Sequence, residues 1–144
     1  MKKLLLVLLF IFSYAQQQMD MSKIDCNSGK NCFNKSIQAL NQNDIETSFK
    51  YVLKGCIKFN DAKSCSRLGE IFENLNKFKE AIFFYTKACE LNDGKGCNNL
   101  GFLYDNGQGV RQNYFKAKQY YGKACDLGFQ RGCKNYAILN QQGY

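Results

Sequence analysis

The feature that most constrains this chain is a repeat marked out by its cysteines. Cys89 and Cys97 reappear as Cys125 and Cys133, each 36 residues further on. The segment Ala81 to Cys89 also aligns on Ala117 to Cys125, with Phe84 over Tyr120, Tyr85 over Tyr121, Lys87 over Lys123 and Ala88 over Ala124. A self-similar period in the thirties marks a stacked helical array, in which each unit is a helix pair that cannot bury its apolar face alone. The unit before, Cys65 to Cys97, is 32 residues long, and the piece it lacks is the turn Gly107-Gln108-Gly109-Val110. The 144 residues have room for one domain, an all-α solenoid.

Apolar spacing predicts the helices. Phe33, Ile37 and Leu40 form one face of a first helix that starts at Cys32 and is broken at Asn41 to Asn43. Asp44 reads as the N-cap of a second, which carries Ile45, Phe49, Val52, Leu53 and Cys56. The next unit begins at Cys65 with Leu68, Ile71 and Phe72, breaks at Asn74 to Asn76, and continues over 78–91 with Ala81, Ile82, Phe84, Tyr85 and Ala88. The third uses Leu100, Leu103 and Tyr104, then Phe115, Ala117, Tyr120, Tyr121 and Ala124. A closing helix from Cys133 to Asn140 uses Tyr136, Ala137 and Leu139, which makes three pairs and one unpaired helix. The aromatics Phe83, Phe84, Tyr85, Tyr120 and Tyr121 read as core. Gly107 and Gly109 permit positive φ in the longer connection, and Gly101, Ala117 and Ala124 let paired helices approach closely.

Residues 1–15 have the form of a signal peptide. Lys2 and Lys3 precede the apolar run Leu4 to Phe12, and Ser13-Tyr14-Ala15 supplies a cleavage site. The run is too short to span a bilayer of roughly 30 Å. Residues 16–25 then form a loose mature N-terminus and 26–144 one repeat domain. This divides into a degenerate repeat over 26–60, repeats over 61–92 and 93–128, and a closing helix over 129–144. Cleavage near Ala15 places the chain in the periplasm or outside the cell. It removes two lysines and no acids, so the net charge of +8 becomes +6. Basic residues alternate with Glu and Asp without forming a dense run, which argues against nucleic acid as a partner.

The eight cysteines fall into four close pairs, 26/32, 56/65, 89/97 and 125/133. Zinc sites have shorter spacings and usually include histidine, and this chain has none. In an exported chain the pairs read as disulfides. They would staple each second helix to the first helix of the next unit. Spacing leaves open whether Cys26 pairs with Cys32.

The run Leu100-Gly101-x-Leu103-Tyr104-x-x-Gly107-x-Gly109-Val110, followed by Ala117-x-x-Tyr120-Tyr121-x-Lys123-Ala124, resembles the Sel1-like repeat, a relative of the tetratricopeptide repeat. With the signal segment and the Lys-Ala-Cys-Asp/Glu-Leu motif, the chain resembles the secreted Helicobacter cysteine-rich protein family. The resemblance is fullest over 78–143 and weakest over 23–43. It implies a right-handed α/α solenoid with disulfide-linked repeats. It also implies penicillin binding with weak β-lactamase activity, or a role as a secreted factor sensed by host cells.

The residues give that enzyme no recognisable motif. None of Ser13, Ser22, Ser28, Ser36, Ser48, Ser64 or Ser66 has Lys three positions on, K-T-G is absent, and there is no histidine to hold a catalytic metal. No catalytic residue, metal or cofactor is assigned. The competing reading is a binding module, because solenoids of helix pairs present a concave face lined by first helices. Asn99, Phe102 and Asn106 lie off the core face, with Asn135, Ile138 and Gln142 one unit on and Arg67, Glu70 and Asn74 one unit back. Asn and Arg side chains at these positions suit the peptide groups of an extended ligand. The expected partner is a peptide, a peptidoglycan fragment or a β-lactam, or else another protein on a non-enzymatic scaffold.

Overall fold

Capping side chains set where five of the seven described α-helices start. In order the seven are α1 (Gly29–Asn41), α2 (Ile45–Phe59), α3 (Ala62–Asn74), α4 (Phe78–Glu90), α5 (Gly94–Asn106), α6 (Tyr114–Asp126) and α7 (Gln130–Gln141), after a 3-10 turn at Met21–Lys23. The computed structural model describes residues 21–144, and all regular structure among them is helical. The expected signal segment, 1–15, and residues 16–20 lie outside the described residues. The seven α-helices are the three pairs and closing helix that the period predicts.

Asp44 caps α2 by accepting from the Thr47 N–H, as expected. The first helices, however, begin one turn ahead of their cysteines. Ser28, Asp61 and Asp93 accept from the N–H groups of Asn31, Ser64 and Gly96, which starts α1, α3 and α5 three residues before Cys32, Cys65 and Cys97. These caps lie outside the apolar period, so the period misses them. Four helices end on Asn43, Asn60, Asn76 and Asn92, all in the left-handed region. Gly107 and Gly109 have φ of 65° and 71°, and the Gly109 backbone is so close to Phe78 that an added Cβ would lie 2.5 Å from its Cβ.

Consecutive helices pack as pairs, and the first helices α1, α3, α5 and α7 also touch one another in sequence. The main core runs from α2 to α6, with Val52, Leu68, Tyr85, Leu100 and Leu103 fully buried, and a smaller cluster of Ala117, Tyr121 and Leu139 joins α6 to α7. All four disulfides are closed, with Cα atoms 4.5–5.1 Å apart. Cys56–Cys65, Cys89–Cys97 and Cys125–Cys133 join each second helix to the next first helix, while Cys26–Cys32 ties the N-terminal segment to α1.

A three-residue arrangement recurs inside the repeat. Gly69 on α3 lets the Tyr85 ring lie against the helix, and the phenol reaches one turn on to donate to Glu73 Oε2 at 2.6 Å. Gly101, Tyr121 and Asp105 repeat this, with a 3.1 Å bond to Asp105 Oδ2. In the first unit the same positions hold Ser36, Val52 and Leu40, so the arrangement is absent there. A Cβ added at Gly69 would sit 2.3 Å from the Tyr85 ring. Gly69→Ala is expected to cost about 1–3 kcal/mol through overpacking and to lower the thermal midpoint by several degrees. Gly122→Ala, whose Cβ would meet only the partly exposed Tyr136 ring at 3.3 Å, is expected to be neutral or stabilising. Equal melting shifts for the two variants would contradict this packing account.

The core differs from the periodicity at several aromatic and aliphatic positions. Phe84, Tyr85 and Tyr121 are buried and Tyr120 is half-buried, but Phe83 is 60% exposed and Phe115 66% exposed. Each lies beside the narrow stripe of Ala81, Ala88, Ala117 and Ala124 that meets the neighbouring helices. On α1 the core side is Cys32, Ser36 and Ala39, whereas Ile37 is exposed and Phe33 and Leu40 are half-buried. Close packing of α2 selects the small residues and turns the large ones to the opposite side. On α7 only Leu139 of the expected apolar set is buried, because no second helix packs on it among the described residues.

A candidate ligand groove on the first-helix face

The apolar residues that α1 turns away from the core form one wall of a trench across the first helices. Phe33, Ile37 and Leu40 face Lys63, Ser66 and Arg67 of α3 across a pocket of about 420 Å³, closed by Lys95 and Asp93 at the start of α5. A second pocket, about 490 Å³, adjoins it and is lined by Glu70, Glu73 and Asn74 of α3, Asn98, Asn99 and Phe102 of α5, and Arg131 and Asn135 of α7. Both volumes fall in the range of small-molecule and peptide subsites. Glu70 lines both.

The two pockets are the same place in successive repeats. Counting from each first-helix cysteine, Ile37 corresponds to Glu70, Leu40 to Glu73, Asn41 to Asn74, Ser66 to Asn98, Arg67 to Asn99, and Lys95 to Arg131. Repetition has kept the geometry and exchanged the chemistry. The first pocket has an apolar wall with a basic rim; the second is lined mainly by amides and carboxylates, with Phe102 and Arg131 beside them.

Polar groups in the second pocket are linked across four helices. Asn135 Nδ2 donates to Asn98 Oδ1 at 3.0 Å, and Asn98 Nδ2 donates to Asn99 Oδ1 at 3.3 Å. The Asn99 amide in turn lies beside the Tyr85 hydroxyl, which donates to Glu73. Burial, and then the Glu73 carboxylate, pushes the Tyr85 phenol well above its ordinary range. Between the pockets Glu70 is held by Arg67 Nη1 at 2.9 Å and by Lys95 Nζ. This network fixes the side chains before any ligand arrives, which lowers the ordering cost of binding.

Of the residues expected to line a groove, the fold gathers Arg67, Glu70, Asn99, Phe102 and Asn135, together with Asn74. Asn106 and Ile138 do not join them. Asn106 is exposed at the end of α5 and donates back to the Phe102 carbonyl at 2.9 Å, and Ile138 is 51% exposed one turn beyond the trench. Asn106 stands seven residues beyond Asn99, a spacing that keeps the helix face but carries it about 10 Å along the axis, past the crossing helices. The sequence reading missed Phe33, Ile37, Lys63, Ser66, Lys95, Asn98 and Arg131. One signal was legible: a basic residue stands two positions before every first-helix cysteine, at Lys30, Lys63, Lys95 and Arg131.

Comparison with known proteins agrees with this architecture. The Sel1 repeat profile matches residues 94–129 and the tetratricopeptide repeat profile residues 62–95. The structure of cysteine rich protein B of Helicobacter pylori superposes with a TM-score of 0.63 at 32% identity, covering 74% of this chain and 86% of that one. The chain belongs to the Sel1-like cysteine-rich repeat family. A Sel1 repeat protein from Oxalobacter formigenes shares the fold, with a TM-score of 0.72 at 21% identity over 82% of this chain. The present chain spans 51% of that protein's length. Comparison with curated protein sequences finds no match. As a Sel1-like cysteine-rich repeat protein, the chain is of the kind built for protein interaction. Its four disulfides suit an extracellular or periplasmic setting. No described helix is long and apolar enough to cross a membrane, and no described cluster of three His, Cys, Asp or Glu side chains is placed to hold a metal ion.

Proposed function

We propose that this exported repeat protein binds an extended peptide, or the peptide of a cell-wall fragment, along its first-helix groove. The observation that carries the reading is the continuous pair of pockets repeated in register across α1, α3, α5 and α7. Neighbouring first helices stand roughly 10 Å apart, about three residues of extended chain. Amides at Asn74, Asn99 and Asn135 suit the peptide groups of such a ligand, and Phe102 offers an apolar contact. Export rests on the signal-like segment over 1–15 together with the disulfides.

β-Lactams enter this reading as mimics of a wall peptide that occupy the same groove. Hydrolysis has less support. Ser36 Oγ donates to the Phe33 carbonyl and Ser64 Oγ to Asp61, while Ser66 Oγ, in the first pocket, has no partner to act as its base. Binding without turnover is therefore the expected behaviour.

Calorimetric titration of the oxidised protein with peptidoglycan stem peptides and with benzylpenicillin tests this. Combined Phe102→Ala and Arg131→Ala substitution is expected to weaken binding at least about tenfold, the worth of one good contact. The melting temperature should hardly change, since both side chains are exposed. Affinities that are equal in the parent and the double variant would remove the groove from the account. Nitrocefin turnover should not exceed that of a reduced and alkylated control.

A further inference from the structure

We propose that the open side of α7 is a second binding surface, which takes an acidic amphipathic α-helix of another protein. The surface lies at the end of the stack and is separate from the first-helix groove. α1, α3 and α5 each pack against a second helix, whereas among the described residues α7 has none.

The units before it define what α7 leaves open. Gly69 and Gly101 are buried beneath the Tyr85 and Tyr121 rings, and the same position on α7 is Ala137, which is exposed. Leu68 and Leu100 are fully buried, but their counterpart Tyr136 is 38% exposed. Gln141 stands where Glu73 and Asp105 stand in the earlier units, and it too is exposed. Beside α7 runs a cleft of about 520 Å³, lined by Phe115, Lys118 and Lys123 of α6 together with Tyr136. Tyr144 walls one end of it. Its ring lies 4.3 Å from that of Tyr114 and 6.0 Å from that of Phe115, and Lys118 holds its carbonyl.

Charge decides what covers this face. Between 114 and 141 the chain carries Lys116, Lys118, Lys123, Arg131 and Lys134 against a single acid, Asp126. The opposite end of the stack is basic as well, with Lys23, Lys30 and Lys35 against Asp25 over 21–41. A second copy, joined end to end or back to back, would bring like charges together. A helix with acids flanking its apolar stripe meets the lysines favourably and covers Phe115 and Tyr136.

The repeats also set one residue of that helix. The position four before each second-helix cysteine is Tyr85 or Tyr121 where the first helix has glycine, and Val52 where it has Ser36. A Cβ added at Gly69 or Gly101 would sit 2.3 or 2.8 Å from the tyrosine ring. Ala137 carries such a Cβ. The incoming helix therefore presents a valine-sized side chain there, and a tyrosine is excluded.

The probe is a labelled peptide of residues 44–59, the second helix that bears Val52, with Cys56→Ser, Lys50→Glu, Lys54→Glu and Lys58→Glu. A control peptide keeps the three lysines. Binding to the oxidised full chain is read by fluorescence anisotropy at low and high salt. The acidic peptide should bind one to one and at least about tenfold more tightly than the control, an advantage that shrinks as salt screens the charges. Val52→Tyr in the peptide should weaken binding at least about tenfold, and Ala137→Gly in the protein should restore it. Ala137 is exposed, and a melting curve checks that this variant folds. Absence of binding, equal affinity for the two peptides, or a tyrosine penalty unchanged by Ala137→Gly would each overturn the proposal. Binding that disappears with Phe102→Ala and Arg131→Ala would place the peptide in the groove and overturn it too. A dimer of the protein alone in sedimentation velocity, abolished by Tyr136→Glu, would give the face to a second copy instead.

Discussion

Complete reduction with dithiothreitol at neutral pH and 37 °C is expected to abolish the cooperative melt of this protein and most of its helical circular dichroism. The bridges close loops with sequence separations of 6, 9, 8 and 8 residues. In the chain-entropy account each such loop contributes about 2.5 kcal/mol, so the four together approach 10 kcal/mol. A domain of this size has a net stability of about 5–15 kcal/mol. Most of the helices have 13 residues, a length that is marginal alone in water. Three of the lost links are also the ones that hold unit to unit, so each freed pair must keep its apolar side covered by packing alone. Replacing only Cys89 and Cys97 with serine should cost about 2–5 kcal/mol and preserve a weaker transition. A reduced protein that melts at the oxidised temperature would show that helix packing alone suffices.

Alkaline conditions are expected to unfold the oxidised protein through two buried phenols. Tyr85 and Tyr121 are 0% and 1% exposed, and burial is the main cause that raises both above the ordinary tyrosine value. The Glu73 and Asp105 carboxylates raise them further. Below about pH 10 the phenols are neutral in folded and unfolded chain alike, and their contribution is fully present. As pH rises past that value the unfolded chain ionises while the folded one holds its protons. Stability then falls by about 1.4 kcal/mol per pH unit for each tyrosine, or about 2.7 kcal/mol per unit for the two. Tyr120, half-buried, adds a smaller effect of the same sign. Urea midpoints at pH 9, 10 and 11 measure the slope. Tyr85→Phe with Tyr121→Phe should flatten it, even though the double variant starts less stable for want of two hydrogen bonds. Lysine titration is common to both proteins and cancels in the comparison. A double variant with an unchanged slope would place the alkaline transition elsewhere.

The groove shows how repetition can build a binding surface. Duplicating a helix pair reproduces a pocket between first helices at no cost in new folding instructions. Substitution at equivalent positions then distinguishes the copies, Ile37 and Leu40 in one and Glu70 and Glu73 in the next. The positions free to vary are those the Gly69–Tyr85–Glu73 type of packing does not constrain. Glu73 belongs to both sets: it accepts the hydrogen bond of the Tyr85 hydroxyl and lines the second pocket. Groove and core are coupled at that residue.

Much of this protein is local and therefore legible in its sequence. The cysteine spacing determined the repeat, the number of helices and the connection of each second helix to the next first helix. A short loop brings its two ends together whatever the rest of the chain does. Asp44 and the Gly107-Gly109 turn were legible for the same reason: a cap and a left-handed residue act within a few positions. What only the tertiary structure decided was the choice between faces. Helical spacing groups Phe33 with Ile37 and Leu40, but it does not say whether that face or the one with Cys32, Ser36 and Ala39 meets α2. The approach distance between helices makes the choice, and here it favours small side chains. The groove depends on still longer relations, such as the bond from Asn135 to Asn98, 37 residues away in sequence. Periodicity names the residues that share a helix face; stacking decides which of those faces meet across a pocket.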